Sequence, residues 1–172
     1  MMNVYFTHGS DYYMERLIEK YPNRNIIKYA GPEDIVLYES TEDKSVFSSG
    51  ESYEVVEQQG EVTGTGVLLL KYFQVSEEKQ KVAEMTLTGH SDFSEYDGYE
   101  AYQLLRPHRG QTYIALFQFR TADLAEDFKK SSVYRNHYDE SLKQYQSADF
   151  ISNVQFTKLL RPYDAAERIE EE

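Results

Sequence analysis

The sequence predicts an α+β protein of the ferredoxin-like type, with two antiparallel sheets packed as an intramolecular α+β barrel. The first observation is the order strand, helix, strand, strand, helix, strand over residues 67–160, which is the ferredoxin-like pattern. The second is the regular alternation over residues 111–120, where Phe117 and Phe119 share one face, as in a strand. The third is a β-α-β-β-β segment before residue 63, which is large enough to cover the bare face of the C-terminal sheet.

The N-terminal half is predicted to contain one helix among four strands. Ser10 or Asp11 caps a helix that continues to Lys20. The turn signal Ala30-Gly31-Pro32 then separates two apolar runs. The strands of this half are predicted at residues 4–7, 25–29, 35–38 and 53–56.

The C-terminal half is predicted to place two helices on its sheet. The helix that follows the first strand of this half turns Val82, Ala83 and Met85 toward the sheet. The second helix begins at Thr121, and its C-terminal end carries Tyr134, His137 and Tyr138. The strands are predicted at residues 67–75, 99–105, 111–120 and 154–160.

A glycine-rich break divides the chain. Gly64 and Gly66 interrupt the apolar pattern, so we predict an N-terminal half at residues 1–62, a ferredoxin-like domain at residues 63–163 and an acidic tail at residues 164–172. Because the first half can cover the sheet of the second within one chain, a monomer is favoured over an obligate dimer.

The composition indicates a packed core without disulfides and limits the partners. The chain has 172 residues, 40% of them apolar, with 16 Tyr and no Cys or Trp. The formal charge of −12 opposes binding to nucleic acid and to anionic lipid, so no nucleic-acid partner is expected. The longest apolar run, residues 67–70, is far shorter than the roughly 18 residues of an integral membrane helix. We expect a cytoplasmic location, with peripheral attachment to a membrane as the alternative.

The end of the second helix is the candidate binding site. Tyr134, His137 and Tyr138 follow i+3 and i+4 spacing, so they lie on adjacent turns, and Phe128 lies on a neighbouring face. Two phenols, an imidazole and an aromatic ring could line a flat cavity between helix and sheet. The alternative is that His137 faces solvent at the helix end, where the dipole stabilises a cation.

The pattern predicts no catalytic group and no metal site. The four histidines are far apart in sequence, and none pairs with another at i+3 or i+4. No glycine-rich phosphate loop joins a strand to a helix. The catalytic residues therefore stay unassigned.

Several segments together resemble known bacterial families. The set resembles the TRAP signal-transduction proteins of Gram-positive bacteria and the two-part heme-degrading monooxygenases, both in the superfamily of proteins like the antibiotic biosynthesis monooxygenases. The resemblance implies a fold of the dimeric α+β barrel superfamily. The segments that carry it are residues 4–9 (VYFTHG), 53–56 (YEVV), 60–61 (GE), 102–107 (YQLLRP), 110–113 (GQTY) and 126–131 (EDFKKS).

The likeness to heme-degrading enzymes implies heme as the cofactor, but the residues differ. Those enzymes use an Asn near the iron, a Trp against the porphyrin and an axial His. Here the corresponding positions hold Lys71, Phe128 and Tyr138, with His137 one residue before the ligand position. Tyr138 could bind ferric heme as a phenolate, and Lys71 could pair with a propionate. The resemblance thus implies heme binding with weak or absent heme degradation, and leaves open whether the chain is an enzyme.

Two further functions follow from the same resemblance. The first is a non-catalytic signal-transduction or stress-regulatory protein of the TRAP type that acts through a regulatory protein partner. TRAP proteins are described as histidine-phosphorylated, yet the matching segments 62–68, 75–82 and 151–156 contain no His. The second is a cofactor-free monooxygenase that binds another flat small molecule, an aromatic substrate.

Overall fold

The computed structural model describes residues 1–89, 93–146 and 155–163. The predicted tail at 164–172 and the predicted strand start at Val154 lie outside the described residues. Short 3-10 helices cover Glu77–Lys79 and Glu140–Tyr145. The other elements are, in chain order, β1 (Asn3–Gly9), α1 (Asp11–Lys20), β2 (Ile27–Ala30), β3 (Ile35–Thr41), β4 (Glu51–Gln59), β5 (Val67–Gln74), α2 (Gln80–Leu87), β6 (Tyr99–Pro107), β7 (Thr112–Phe119), α3 (Ala122–Lys129), α4 (Ser132–Tyr138) and β8 (Phe156–Pro162).

The strands form one closed barrel in which all neighbours are antiparallel. Their order around the barrel is β1-β3-β2-β8-β5-β7-β6-β4. The C-terminal part, β8-β5-β7-β6, has the strand order of a ferredoxin-like sheet, and the N-terminal part, β4-β1-β3-β2, repeats that order. The predicted α+β fold class is therefore confirmed, with the two sheets joined edge to edge as an intramolecular barrel.

The two halves meet at two seams, each a pair of hydrogen-bonded strands with one strand from each half, and the seams differ in length. β4 and β6 pair over a long register that runs from Tyr53 opposite Pro107 to Gln59 opposite Tyr102. β2 and β8 pair only where Tyr29 lies opposite Pro162 and Ala30 lies opposite Arg161. The predicted boundary at residues 64–66 lies in the connection from β4 to β5, and both strands belong to the same closed barrel. The division into two domains stays a prediction.

Side chains from both halves pack together in the interior of the barrel. A buried hydrogen bond joins them, because the Tyr38 hydroxyl donates to Oε1 of Gln103 over 2.8 Å. This bond satisfies two polar groups that would be costly to bury alone. The apolar residues of this interior are Val4, Phe6, Tyr29, Tyr38, Tyr53, Val62, Leu68, Leu70, Tyr72, Ala101, Leu105, Ile114, Leu116 and Leu160.

The helices cover the outer faces of the two sheets. α1 starts as predicted, with the Ser10 side chain accepting from the Tyr13 amide, and it packs Met14 against Ile35 and Leu37 of β3. α2, α3 and α4 cover the C-terminal sheet and enclose a larger cluster. In the described part of the chain, every helix is too short or too polar to span a bilayer.

The orientation predicted for α2 is wrong for two of its three residues. Val82 and Met85 are 58% and 74% exposed, whereas Ala83 and Leu87 are buried. The helix is preceded by a 3-10 turn, and Ser76 makes no capping hydrogen bond through its side chain. The tighter turn changes the phase of the helix, so the i, i+4 pair of Ala83 and Leu87 faces the sheet.

An ion-pair network ties α2 to both halves of the barrel. Arg106 on β6 donates to the Glu84 carboxylate through Nε and Nη2, and through Nη1 to Glu54 on β4 over 2.9 Å. Tyr113 on β7 also donates to Glu84. Burial alone would raise the pKa of Glu84, but the hydrogen bonds from Arg106 and Tyr113 outweigh it and hold the pKa below its usual value. The network therefore stabilises the ionised carboxylate where three strands and a helix meet.

We expect Arg106→Ala to lower the free energy of unfolding by about 2 kcal/mol, because it removes charge-assisted hydrogen bonds to two partly buried carboxylates. The control is Arg120→Ala, since Arg120 is 62% exposed and lies 3.6 Å from an exposed Asp97. That change should stay within about 0.5 kcal/mol. Urea unfolding followed by circular dichroism measures both. Equal losses in the two variants would show that the network contributes no more than a surface pair.

Candidate functional site

The predicted site lies under α3 and α4, on the outer face of the C-terminal sheet. Phe128, Tyr134 and Tyr138 are each 3% exposed or less. Phe117 of β7 lies beneath them, with its ring centroid 4.9 Å from that of Phe128 and 5.2 Å from that of Tyr138. The structure thus brings the three predicted aromatic residues together against the sheet.

A break in the predicted second helix sets these positions. Thr121 caps α3 as predicted, accepting from the Leu124 amide. Ser131 then accepts from the Tyr134 amide and starts α4, while its hydroxyl donates to the Phe128 carbonyl. The single helix predicted from Thr121 to Tyr138 is therefore two helices, because the Ser131 side chain takes over the backbone groups that would continue the first.

Residues that the sequence argument missed complete the packing. Phe93 contacts Tyr102, Phe117 and Phe128, with ring centroids between 5.1 and 5.6 Å apart. The Tyr138 hydroxyl donates to the Tyr102 hydroxyl over 3.2 Å. Alternation along β6 and β7 could have identified Tyr102 and Phe117. Phe93 is an isolated apolar residue in a polar loop, and no local pattern indicates that it is central.

His137 lies on the outside of α4. It is exposed, whereas Tyr134 and Tyr138, four residues apart, face the sheet. One helical residue is about 100° of rotation, so Tyr138 and His137 cannot face the same space. His137 thus faces solvent at the helix end, which is the alternative predicted from the sequence, and it does not line the space under the helix.

Lys71 is the charged member of the predicted set. Its side chain is 7% exposed, and its Nζ lies 3.6 Å from Oδ1 of Asp139, the residue that follows α4. Loss of hydration on burial lowers the pKa of Lys71 below its usual value, and Asp139 opposes that change only in part. The ion pair thus links the end of α4 to β5, although burial of the Lys71 ammonium costs hydration free energy.

The residues present do not fit a heme in this space. Rings in mutual contact occupy the layer where a porphyrin would lie, and His137 faces away. Burial raises the pKa of the Tyr138 hydroxyl, so the phenolate that could bind iron is disfavoured. One buried polar group at this site has no hydrogen-bond partner among the described residues, the Tyr134 hydroxyl.

Across residues 1–89, 93–146 and 155–163, no three His, Cys, Asp or Glu side chains are grouped to hold a metal.

Comparison with known proteins identifies relatives over almost the whole chain. The Signal transduction protein TRAP of Staphylococcus aureus (strain bovine RF122 / ET3-1) is 26% identical over 164 residues, covering 94% of this chain and 98% of that protein. The protein of the same name from Staphylococcus epidermidis (strain RP62A) is 25% identical over 166 residues, covering 95% and 99%. No family model matches the chain. The resemblance to TRAP proteins predicted from the sequence is confirmed.

Solved structures share the fold. The structure of a major regulator of staphylococcal pathogenesis superposes with a TM-score of 0.86 at 25% identity, covering 94% of this chain and 99% of that one. A Listeria monocytogenes ferredoxin-fold protein related to antibiotic biosynthesis monooxygenases gives 0.78 at 18% identity, covering 95% of each. A heme-degrading enzyme from Listeria monocytogenes gives 0.72 at 18% identity, covering 91% and 97%. The last two establish the fold alone, as predicted from the sequence.

We expect Phe128→Ala to lower the free energy of unfolding by about 3 to 5 kcal/mol, because it opens a cavity inside the ring cluster. His137→Ala, on the exposed face of the next helix, should change it by less than about 0.5 kcal/mol. Urea unfolding compares the two. A mild effect of Phe128→Ala would mean that the layer is loosely packed and has room for a ligand.

We expect Lys71→Met to raise the free energy of unfolding near neutral pH by about 1 kcal/mol, because it removes a buried charge while the half-exposed Asp139 stays hydrated. A lowered pKa means that the folded protein binds the Lys71 proton less tightly than the unfolded chain does. The free energy of unfolding of the wild type should therefore rise toward that of the variant as pH approaches 10.5, the usual pKa of a lysine. Unfolding curves of both proteins at neutral and alkaline pH measure this difference. A constant difference would contradict the buried, destabilised charge.

Proposed function

We propose that this protein is a non-catalytic regulatory protein that acts through protein partners and does not bind or degrade heme. The observation that carries the proposal is the ring cluster of Phe128, Tyr134 and Tyr138 on Phe117, which fills the space between helices and sheet. A protein interior packed in this way has no room for a flat tetrapyrrole without loss of those contacts.

The chemistry of the three differing positions supports the same proposal. The resemblance to heme-degrading monooxygenases implies an amide, an indole and an imidazole at three positions, where this chain has Lys71, Phe128 and Tyr138. The lysine is engaged by Asp139, the phenyl ring has no N–H, and the phenol is bonded to Tyr102. Each group has a structural partner, so none is left to bind iron or activate oxygen.

The name of the relatives supports a role in signalling. The staphylococcal proteins are named for signal transduction, and the similarity spans both halves of the barrel. Exposed apolar side chains suited to protein contacts lie on α1, at Tyr12 and Tyr13, and on α2, at Val82 and Met85. The formal charge of −12 opposes attachment to anionic lipid, which favours the cytoplasm over the membrane surface.

Titration of the purified protein with hemin tests this proposal. We expect no saturable shift of the Soret band, because the only predicted ligands are an exposed histidine and a buried, hydrogen-bonded tyrosine. Weak absorbance changes from His137 would disappear in the His137→Ala variant. A stoichiometric Soret shift in the wild type that is lost in Tyr138→Phe would contradict the proposal.

A cellular comparison separates signalling from heme chemistry. Deletion of the gene in its host should change the transcript profile, and the double variant His137→Ala, Tyr138→Phe should restore that profile as fully as the wild type. Restoration by the wild type alone would assign the activity to these two side chains and contradict a non-catalytic role.

A further inference from the structure

The short seam between the two halves leaves an opening in the barrel. β2 stops pairing with β8 after Ala30, and the chain turns away at Gly31 and Pro32. The first residues of β8, from Phe156 to Leu160, continue to pair with β5 on their other side. A cavity of about 340 Å³ lies beside this unpaired stretch of β8.

The wall of the cavity is part of the barrel interior. Phe6 and Val36 come from the N-terminal half, and Leu70, Tyr72 and Leu160 come from the C-terminal half. Side chains that would otherwise meet across a closed seam therefore face an open space. Such a volume and lining are typical of sites for small organic molecules, which occupy roughly 300–1,000 Å³.

A stacked pair of rings forms one side of the cavity. The ring centroids of Tyr72 and Phe156 are 4.5 Å apart, and the ring planes differ by 9°. Phe156 is 45% exposed, so this flat apolar surface is open to an incoming molecule. Burial raises the pKa of the Tyr72 hydroxyl, which keeps this wall neutral.

Two cations lie near the stacked rings, Lys158 at the cavity and Arg109 in a recess beside it. Nζ of Lys158 lies 5.3 Å from the centre of the Tyr72 ring and 5.9 Å from that of Phe156. Within the described residues no acidic group pairs with Lys158 or with Arg109, which lines an adjoining recess of about 410 Å³ that also includes Tyr72, Phe156 and Lys158.

The acidic groups of the cavity are mostly engaged. Asp34 lies 2.7 Å from Nδ1 of His8, and Glu51 accepts from the Tyr53 hydroxyl over 2.6 Å. Glu33 is exposed on the turn that follows β2. Because Asp34 and Glu51 bond to His8 and Tyr53 rather than to Lys158, the Lys158 ammonium is the cation beside the stacked rings that can meet a ligand.

We propose that this cavity binds a small, mostly apolar organic anion, an aryl or alkyl carboxylate or sulfonate. Its apolar body lies against Leu70, Leu160 and the Tyr72–Phe156 pair, and its anionic end meets Lys158. This site lies inside the barrel, on the opposite face of the sheet from α3 and α4, so it is independent of the proposed regulatory function and of any heme.

Two fluorescent probes with similar aromatic bodies test the site. The probes are 8-anilinonaphthalene-1-sulfonate, which is anionic, and N-phenyl-1-naphthylamine, which is neutral. We expect saturable binding of both, with Lys158→Ala weakening the anionic probe about tenfold and the neutral probe less than about twofold. The control is Lys81→Ala, an exposed lysine on α2, which should change neither affinity.

Two further variants locate the bound probe. Phe156→Ala removes half of the stacked wall without disturbing the core and should weaken both probes. Val36→Trp fills the cavity and should abolish both signals, with folding checked by circular dichroism; if it does not fold, Phe156→Ala carries this part of the test. The proposal is overturned if the wild type shows no saturable binding, if Lys158→Ala and Lys81→Ala behave alike, or if a folded Val36→Trp binds like the wild type.

Discussion

The bare inner face of a four-stranded antiparallel sheet is the constraint on which this structure depends. A ferredoxin-like unit covers only its outer face with helices, so the inner face must be buried against something else. Here a second sheet with the same strand order covers it, and the two close edge to edge into a barrel. The hydrogen bond from Tyr38 to Gln103 lies in the interior that this closure creates.

The outer face of the C-terminal sheet is closed by a different means. Aromatic rings from α3, α4 and the loop at Phe93 interlock above Phe117. The packing that holds the helices on the sheet also fills the space where the sequence predicts a flat cavity.

Local patterns predict the elements but not how the helices are rotated. The alternation of β7, the cap at Thr121 and the turn at residues 30–32 could all be read from the sequence, because each depends on neighbouring residues. The direction of Val82 depends on a 3-10 turn before α2, and that of His137 depends on Ser131 restarting a helix. The cavity beside β8 was not predictable, since it results from strand pairing between residues more than a hundred positions apart.

The repeated strand order in one chain resembles a dimer whose subunits have been fused. In a symmetric dimer every substitution occurs twice, so both sheets must carry the same helices and the same sites. Fusion removes that obligation. In this chain one half carries α1 alone and the other carries α2, α3 and α4, and each half is free to change its surface without altering the other.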